Sequence, residues 1–282
     1  MERAVYLRRI VTRCHYMSGT LYLVSIPIGD EDDITFRALK ILKEADIVVY
    51  EERKVGHRFL ARHTLQDKHC EALNEHNEAE MSGVIVQYLN DNKNIALISD
   101  AGTPVFSDPG KILVKMAIDR GIRIVPIPGV SSLVPALVLS GFFIDEFVFC
   151  GFLSQKSEKR KSELLQLRNE PRVMIFMDTP YRLAGLIHDL AVVFNRDRQI
   201  AVAFNLTLPD EQVLRGWPDE LYEQINRIHL KGEFVVIVDG KRKASSKKMT
   251  GSRYYHLPVE RHRSHPDRLI SPVMHAVFAS PQ

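Results

Sequence analysis

The chain is 282 residues long, 45% hydrophobic and 26% charged, which excludes wholesale disorder and fits two domains of ordinary size or one large α/β domain. Its net charge of +3 hides an asymmetry: residues 1–17 carry +3 and residues 241–282 carry +7, leaving −7 for the body between them. Basic ends of this kind often touch polyanions. Three cysteines, with no C-x-x-C pair, suggest neither a disulfide framework nor a zinc site and suit a reducing cytoplasm.

Residues 1–17 interleave arginines with apolar residues around one acid, Glu2. That suits a transit peptide, or a stretch ahead of a start at Met17; the second is favoured because the first strand follows at once. Gly19–Ile28 reads as a buried strand ended by Pro27 and Gly29, and Ile34–Ala45 as a short amphipathic helix with Asp33 and Thr35 at its start. Strands are predicted at Asp46–Tyr50, Ile95–Ser99 and Ile122–Ile127, with helices near Ala79–Asn90 and over Lys111–Arg120, the latter closed by Gly121. The uncharged run Ile124–Ile144 is long enough to span a membrane, but its prolines and Gly129 break it into a strand end, a loop and a core helix.

A second cycle follows. Strands are expected at Phe147–Gly151, Val173–Met177, Ile200–Asn205 and Glu233–Val238, and helices at Lys159–Leu167, Tyr181–Val193 and Leu221–Ile228. This alternation implies α/β architecture with parallel sheets: an N-terminal domain over 18–128, a C-terminal domain over 129–240 and a poorly ordered basic tail over 241–282. A G-x-G-x-x-G fingerprint, a P-loop and a complete nucleophile elbow are all missing. His76-Asn77-Glu78 has no P-C-x-x-C to make it a zinc deaminase half-site, and no metal is expected.

Four loops at strand ends, rich in Gly, Pro, Ser, Thr and Asp, remain: Pro27–Asp30, Ser99–Pro104, Pro126–Ser132 and Asp178–Arg182. In open parallel sheets ligands bind beyond the carboxyl ends of strands, and small residues let backbone approach them. Several such loops in one chain indicate a ligand cleft.

The succession GTLYLVSIPIGD, NEHNE, SDAGTP with SDPG close behind, PIPGVSS, GFL, TPYRL and KGEFVV, spread over about Gly19–Asp239, resembles the tetrapyrrole methylase superfamily. Within it the chain is most similar to the branch that 2′-O-methylates a cytidine of small-subunit ribosomal RNA. The resemblance implies two α/β domains of the class III methyltransferase type, S-adenosyl-L-methionine in the cleft between them, and a homodimer. It places Pro27, Gly29, Asp100, Ala101, Gly102, Thr103, Pro104, Pro128, Gly129, Ser131, Ser132, Gly232, Glu233 and Phe234 at the cofactor. Ribosomal RNA is the implied partner, and the cluster Lys156, Lys159, Arg160 and Lys161 after GFL is a candidate phosphate-contacting patch. A ribose hydroxyl is a poor nucleophile and benefits from a base; Glu51, Glu52 and Arg53, directly after the second strand, are the catalytic candidates.

Departures from the branch fall at Asp30, at Glu52 and Arg53, and at Asp178, Thr179 and Tyr181, where it has Asn, an Asp-Thr pair, and Glu, Ser and His. Two other readings stay open from sequence: a methylase of a tetrapyrrole or other small molecule, and a non-catalytic RNA-binding protein on the same scaffold.

Overall fold

The computed structural model describes residues 18–228 and 230–241. The basic extension over 1–17 and the tail beyond Lys241 lie outside the described residues. Both halves of the body fall within one compact unit.

The first half alternates strands and helices as expected. Its elements are β1 (Thr20–Val24), α1 (Phe36–Glu44), β2 (Ile47–Tyr50), α2 (Arg53–Arg62), β3 (His69–Ala72), α3 (Glu78–Asn90), β4 (Ile95–Leu97), α4 (Lys111–Asp119) and β5 (Arg123–Ile127). All five strands run parallel in the order β3-β2-β4-β1-β5. Helices cover both faces, so Leu21, Val24, Val48, Val49 and Ala96 are wholly buried and the strands read as continuous apolar runs. Thr35, not Asp33, caps α1: its hydroxyl accepts the N–H of Ala38 at 3.1 Å. Asp30 instead caps a 3-10 turn over Glu31–Asp33.

The run Glu51-Glu52-Arg53-Lys54 is the start of α2, with Glu52 as its N-cap. Gly56 lets this helix lie against β2, since a Cβ there would stand 2.5 Å from the Tyr50 ring.

The second half contains α5 (Leu133–Ser140), β6 (Phe147–Gly151), α6 (Ser157–Gln166), β7 (Val173–Asp178), α7 (Leu183–Phe194), β8 (Ile200–Phe204), β9 (Gln212–Gly216), α8 (Pro218–Ile228) and β10 (Phe234–Val238). The order is β6-β7-β10-β8-β9. Here the expectation of a parallel sheet is corrected: β6 and β7 are parallel, but β10 is antiparallel to β7 and β8, and β9 is antiparallel to β8. The reason is the connection over 205–211, too short for a crossover helix, which turns the chain back into the neighbouring strand. Helix α8 then restores the crossover, so β10 keeps the direction of β9. The run Ile124–Ile144 is β5, a loop and α5, whose Ala136 and Leu137 are buried against Val173, Ile175, Ala201 and Ala203 of the second sheet. Among the described residues no helix is long and apolar enough to cross a membrane.

Arg160 corrects another expectation. It does not belong to a solvent-facing phosphate patch: it is 5% exposed, and its guanidinium pairs with the buried Asp189 carboxylate at 2.7 Å. Lys161 pairs along the helix with Glu158 at 3.0 Å. Lys156 and Lys159 are exposed as expected.

Candidate active site

A cavity of about 530 Å³ lies between the two sheets, within the range of small-molecule and cofactor sites. Its first wall is made by the loops leaving β1, β4 and β5, and its second by the ends of β7 and β8 with the beginning of β10. The antiparallel course of β10 is what brings Glu233, Phe234 and Val235 to the same end as the last residues of β7 and β8; Phe234 sits opposite both Asp178 and Phe204.

Close backbone approach holds the first wall together. Ile26 and Gly102 exchange N–H···O bonds of 2.9 and 3.1 Å, with Gly102 at φ +74°, a conformation glycine adopts without penalty. The Ser25 and Thr103 hydroxyls meet at 2.9 Å. Gly129 abuts the same point: a Cβ there would lie 2.9 Å from the Ser25 Cβ and 3.2 Å from its carbonyl oxygen. Gly129→Ala is expected to cost about 1–3 kcal/mol of stability by overpacking this junction, measurable as a lower urea midpoint with an unchanged slope.

The expected cofactor residues divide by position. Asp100, Ala101, Gly102, Thr103, Ser131, Ser132, Glu233 and Phe234 line the cavity. Pro27 and Gly29 do not; they line a smaller cavity of about 180 Å³ beside α2, sharing only Ile28, Asp100 and Ala101 with the large one. Pro104, Pro128, Gly129 and Gly232 are not part of its lining; the two glycines make room for the chain packed beside them. Gly232 is the tightest, since a Cβ would fall 2.2 Å from the Asn205 amide oxygen. Gly29 performs the same service across the cleft, touching Thr207, whose hydroxyl accepts the Asp30 N–H at 3.0 Å.

Ile28, inside the expected Pro27–Gly29 stretch, lines the cavity; so do Phe106, Asp108, Phe152 and Met177, which sequence reasoning did not assign to the site. Asp108 was visible as the acid of SDPG and Phe152 as the aromatic of GFL. Phe106 meets Phe149 of β6 in a tilted ring contact with centroids 4.8 Å apart. Glu78 of NEHNE serves the fold: its carboxylate accepts the N–H groups of Gly110 and Ile112 at 2.8 Å each, satisfying the start of α4.

The electrostatics are one-sided. Asp100, Asp108 and Glu233 line the cavity, and among the described residues no Lys, Arg or His does. Burial, the first cause, and Asp100, the second, push Asp108 up to about 6, against a smaller opposing effect of Lys111. Burial likewise raises Asp100, opposed by the Glu52 N–H that Asp100 accepts at 3.2 Å. It raises Glu233 as well. Glu51, just outside the lining, is carried to about 7 by burial and then by Asp108, Asp100, Glu75 and Glu52. Asp100 repels both Glu51 and Asp108, and Asp108 repels Glu51; with Glu233 in the same lining, the field favours a cationic ligand. Of the catalytic candidates, Glu51 therefore belongs to this group. Glu52 caps α2 and positions Asp100, and Arg53 is exposed on the first turn of the helix.

The family model of the tetrapyrrole (corrin/porphyrin) methylases matches residues 20–245. Among curated relatives, the chain is 39% identical to ribosomal RNA small subunit methyltransferase I of Haemophilus influenzae over 237 residues, 82% of each chain. It is 37% identical to the protein of the same name from Bacillus subtilis, over 79% of this chain and 75% of that one. Among solved structures it is similar to uroporphyrin-III C-methyltransferase of Thermus thermophilus, complexed with S-adenosylhomocysteine, with a TM-score of 0.56 at 19% identity, covering 78% of this chain and 97% of that one. A cobalt precorrin-4 methyltransferase superposes with a TM-score of 0.57 at 18% identity, covering 82% and 98%. At such identities the structural likeness speaks for the fold alone.

Proposed function

The chain belongs to the tetrapyrrole methylase family, and from that premise we propose that it transfers a methyl group from S-adenosylmethionine to small-subunit ribosomal RNA, at the 2′-hydroxyl of a cytidine ribose. The acceptor follows the relatives, which are named as small-subunit ribosomal RNA methyltransferases and share 37–40% of their residues with this chain. The observation that carries the methyl donor is the charge of the cavity: among the described residues its lining holds three acids and no base, the remainder being apolar side chains with the hydroxyls of Thr103, Ser107, Ser131 and Ser132 and the Asn205 amide.

S-adenosylmethionine fits these residues. It combines a neutral aromatic base and a sugar with a sulfonium cation and an amino-acid end, and bound here it supplies an electrophilic methyl on positively charged sulfur. Ile28, Leu133, Met177, Leu206 and Phe234 offer apolar surface for the base, and Asp100, Asp108 and Glu233 offer charge for the cation. The braced loops at Gly102 and Gly129 hold this wall fixed, so the bound reactants are oriented with little rearrangement. Forming the new O–C bond would break the methyl's C–S bond and release S-adenosylhomocysteine, while the ribose hydroxyl would give up its proton; the Glu51–Asp108–Asp100 group is the candidate to receive it. With Asp108 at about 6 and Glu51 at about 7, these carboxylates are stronger bases than an ordinary exposed acid and still accessible as bases near neutral pH.

The same shifts set a pH dependence. A cation binds best to ionised carboxylates, so affinity for S-adenosylmethionine is expected to rise as pH increases through about 6–7 and to level off above it. Calorimetric titration at pH 5.5 and 8.0 checks this. Transfer of labelled methyl from S-adenosylmethionine to small ribosomal subunits from cells lacking the protein, followed by mapping of the ribose methyl, checks the whole reading. A folded protein that takes up neither S-adenosylmethionine nor S-adenosylhomocysteine would sink it.

The homodimer belongs to the same reading. Helix α5 exposes Val134 and Val138, one turn apart, at 58% and 70%, and Phe147 on β6 is also exposed. Exposed apolar side chains of this kind suit a self-complementary contact. Analytical ultracentrifugation is expected to give twice the chain mass.

A further inference from the structure

The turn Pro180–Arg182, which follows β7, is braced by two arginines. Arg182 Nη2 donates to the carbonyls of Leu153 at 3.0 Å and Ser154 at 2.9 Å in the loop after β6, while Nη1 pairs with Asp178 at 2.9 Å. Arg160 donates to the carbonyls of Ser154 and Gln155, each at 3.3 Å, and to that of Gly185 in the first turn of α7, also at 3.3 Å. Turn, loop and helix start are thus joined into one unit.

On this unit Tyr181 stands 92% exposed, and among the described residues its ring and hydroxyl have no partner. The acids nearby are all engaged: Asp178 by Arg182, Asp189 by Arg160 and Ser157, Glu158 by Lys161, and Glu163 by the Ser154 N–H at 2.9 Å. Lys156 and Lys159, exposed on the same loop and the first turn of α6, have no side-chain partner among the described residues. Phe152, which lines the large cavity, begins this loop. An aromatic ring in water on a braced turn, exposed cations on the loop tied to that turn and a loop that begins at the cavity lining make up the composition of a single-strand nucleic-acid surface.

The geometry points to a stacking platform for single-stranded RNA, in which the face of Tyr181 takes a nucleobase next to the reacting nucleotide and Lys156 and Lys159 take adjoining phosphates. This rests on RNA being the acceptor. A paired A-form segment offers no free base face and does not fit the platform. The braced turn means that its backbone adds little ordering cost when a base stacks.

The test compares Tyr181→Ala, Tyr181→Phe and Lys156→Ala/Lys159→Ala with the unaltered protein, using purified small ribosomal subunits as acceptor. Stacking predicts that Tyr181→Ala raises KM for subunits about tenfold while Tyr181→Phe, which keeps the ring, restores it. The lysine pair should raise KM and flatten the salt dependence of binding. Affinity for S-adenosylmethionine and the thermal midpoint report separately that fold and cavity are intact. If methyl transfer proceeds and Tyr181→Ala leaves KM unaltered, or if Tyr181→Phe is as damaged as Tyr181→Ala, the platform is wrong and the methyltransferase reading stands. If the unaltered protein binds S-adenosylmethionine but neither methylates nor binds subunits, the RNA reading falls and the platform with it.

Discussion

The double substitution Asp100→Asn/Asp108→Asn is expected to weaken S-adenosylmethionine binding by about 10–100-fold near pH 8 and S-adenosylhomocysteine by much less. The two ligands differ by one methyl and one positive charge, and among the described residues the cavity answers that charge with carboxylates alone. Asparagine keeps the shape and still accepts the Glu52 N–H, so the backbone of the Asp100 loop is not released. At pH 5 the unaltered protein is itself largely protonated at Asp108 and Glu51, and the difference between it and the variant should shrink. Paired calorimetry with both ligands at the two pH values decides the matter. Equal losses for both would mean that shape, not charge, is what these aspartates provide. Stability should move the other way: carboxyls whose folded pKa is raised contribute stability below the unfolded value that is lost as pH rises through the folded one. The ligand-free protein should therefore become less stable between pH 5 and 7.5, through Glu51 and Asp108, and the ligand should offset that loss.

The second large effect is structural. Asp189→Ala is expected to cost about 3–5 kcal/mol, because it strands the Arg160 guanidinium in the interior. Arg160 and Asp189 are 5% and 1% exposed, and Ser157 donates to the same carboxylate at 2.9 Å. With a drop of about 2–4 °C per kcal/mol for a domain of this size, the unfolding midpoint should fall by roughly 10 °C. Replacing both partners with apolar residues of similar volume should recover much of the loss, since a buried pair is expensive to break and less valuable to have. Thermal unfolding of the single and double variants checks both statements. A loss below about 1 kcal/mol would show that water reaches Arg160 once its partner is gone.

Most of the first half was legible because its strands are continuous apolar runs and its helices carry clear stripes: IVVY, IALIS and Ala38/Leu42 leave little choice. What escaped was polar or local. β3 (HCEA) is an edge strand without an apolar face, and β9 (QVLRG) is half-exposed along most of its length. Missing β9 hid the reversal over 205–211 and with it the antiparallel course of β10. α2 looked like a charged loop because its buried face consists only of Gly56, Phe59 and Leu60. Arg160 looked like a surface cation because its partner lies 29 residues away, beyond any local pattern. At the site, the glycine- and proline-rich loops were correctly marked as the place to look. Sequence did not separate residues that face the cavity, such as Asp100 and Ser131, from those that make room for them, such as Gly129 and Gly232. That distinction depends on which atom lies within about 3 Å, and spacing does not report it.

The position of β10 also bears on how the chain is made. The last strand among the described residues is the middle strand of its sheet, flanked by β7 and β8. During synthesis the first half, complete at Ile127, has every strand of its sheet while the second is still being translated. β7 and β8 emerge with their facing edges open, and remain so until residues 234–238 arrive to bridge them. A chain ending anywhere between Phe204 and Phe234 therefore carries one half with all its strands and one half with a gap at its centre, its two facing edges unpaired.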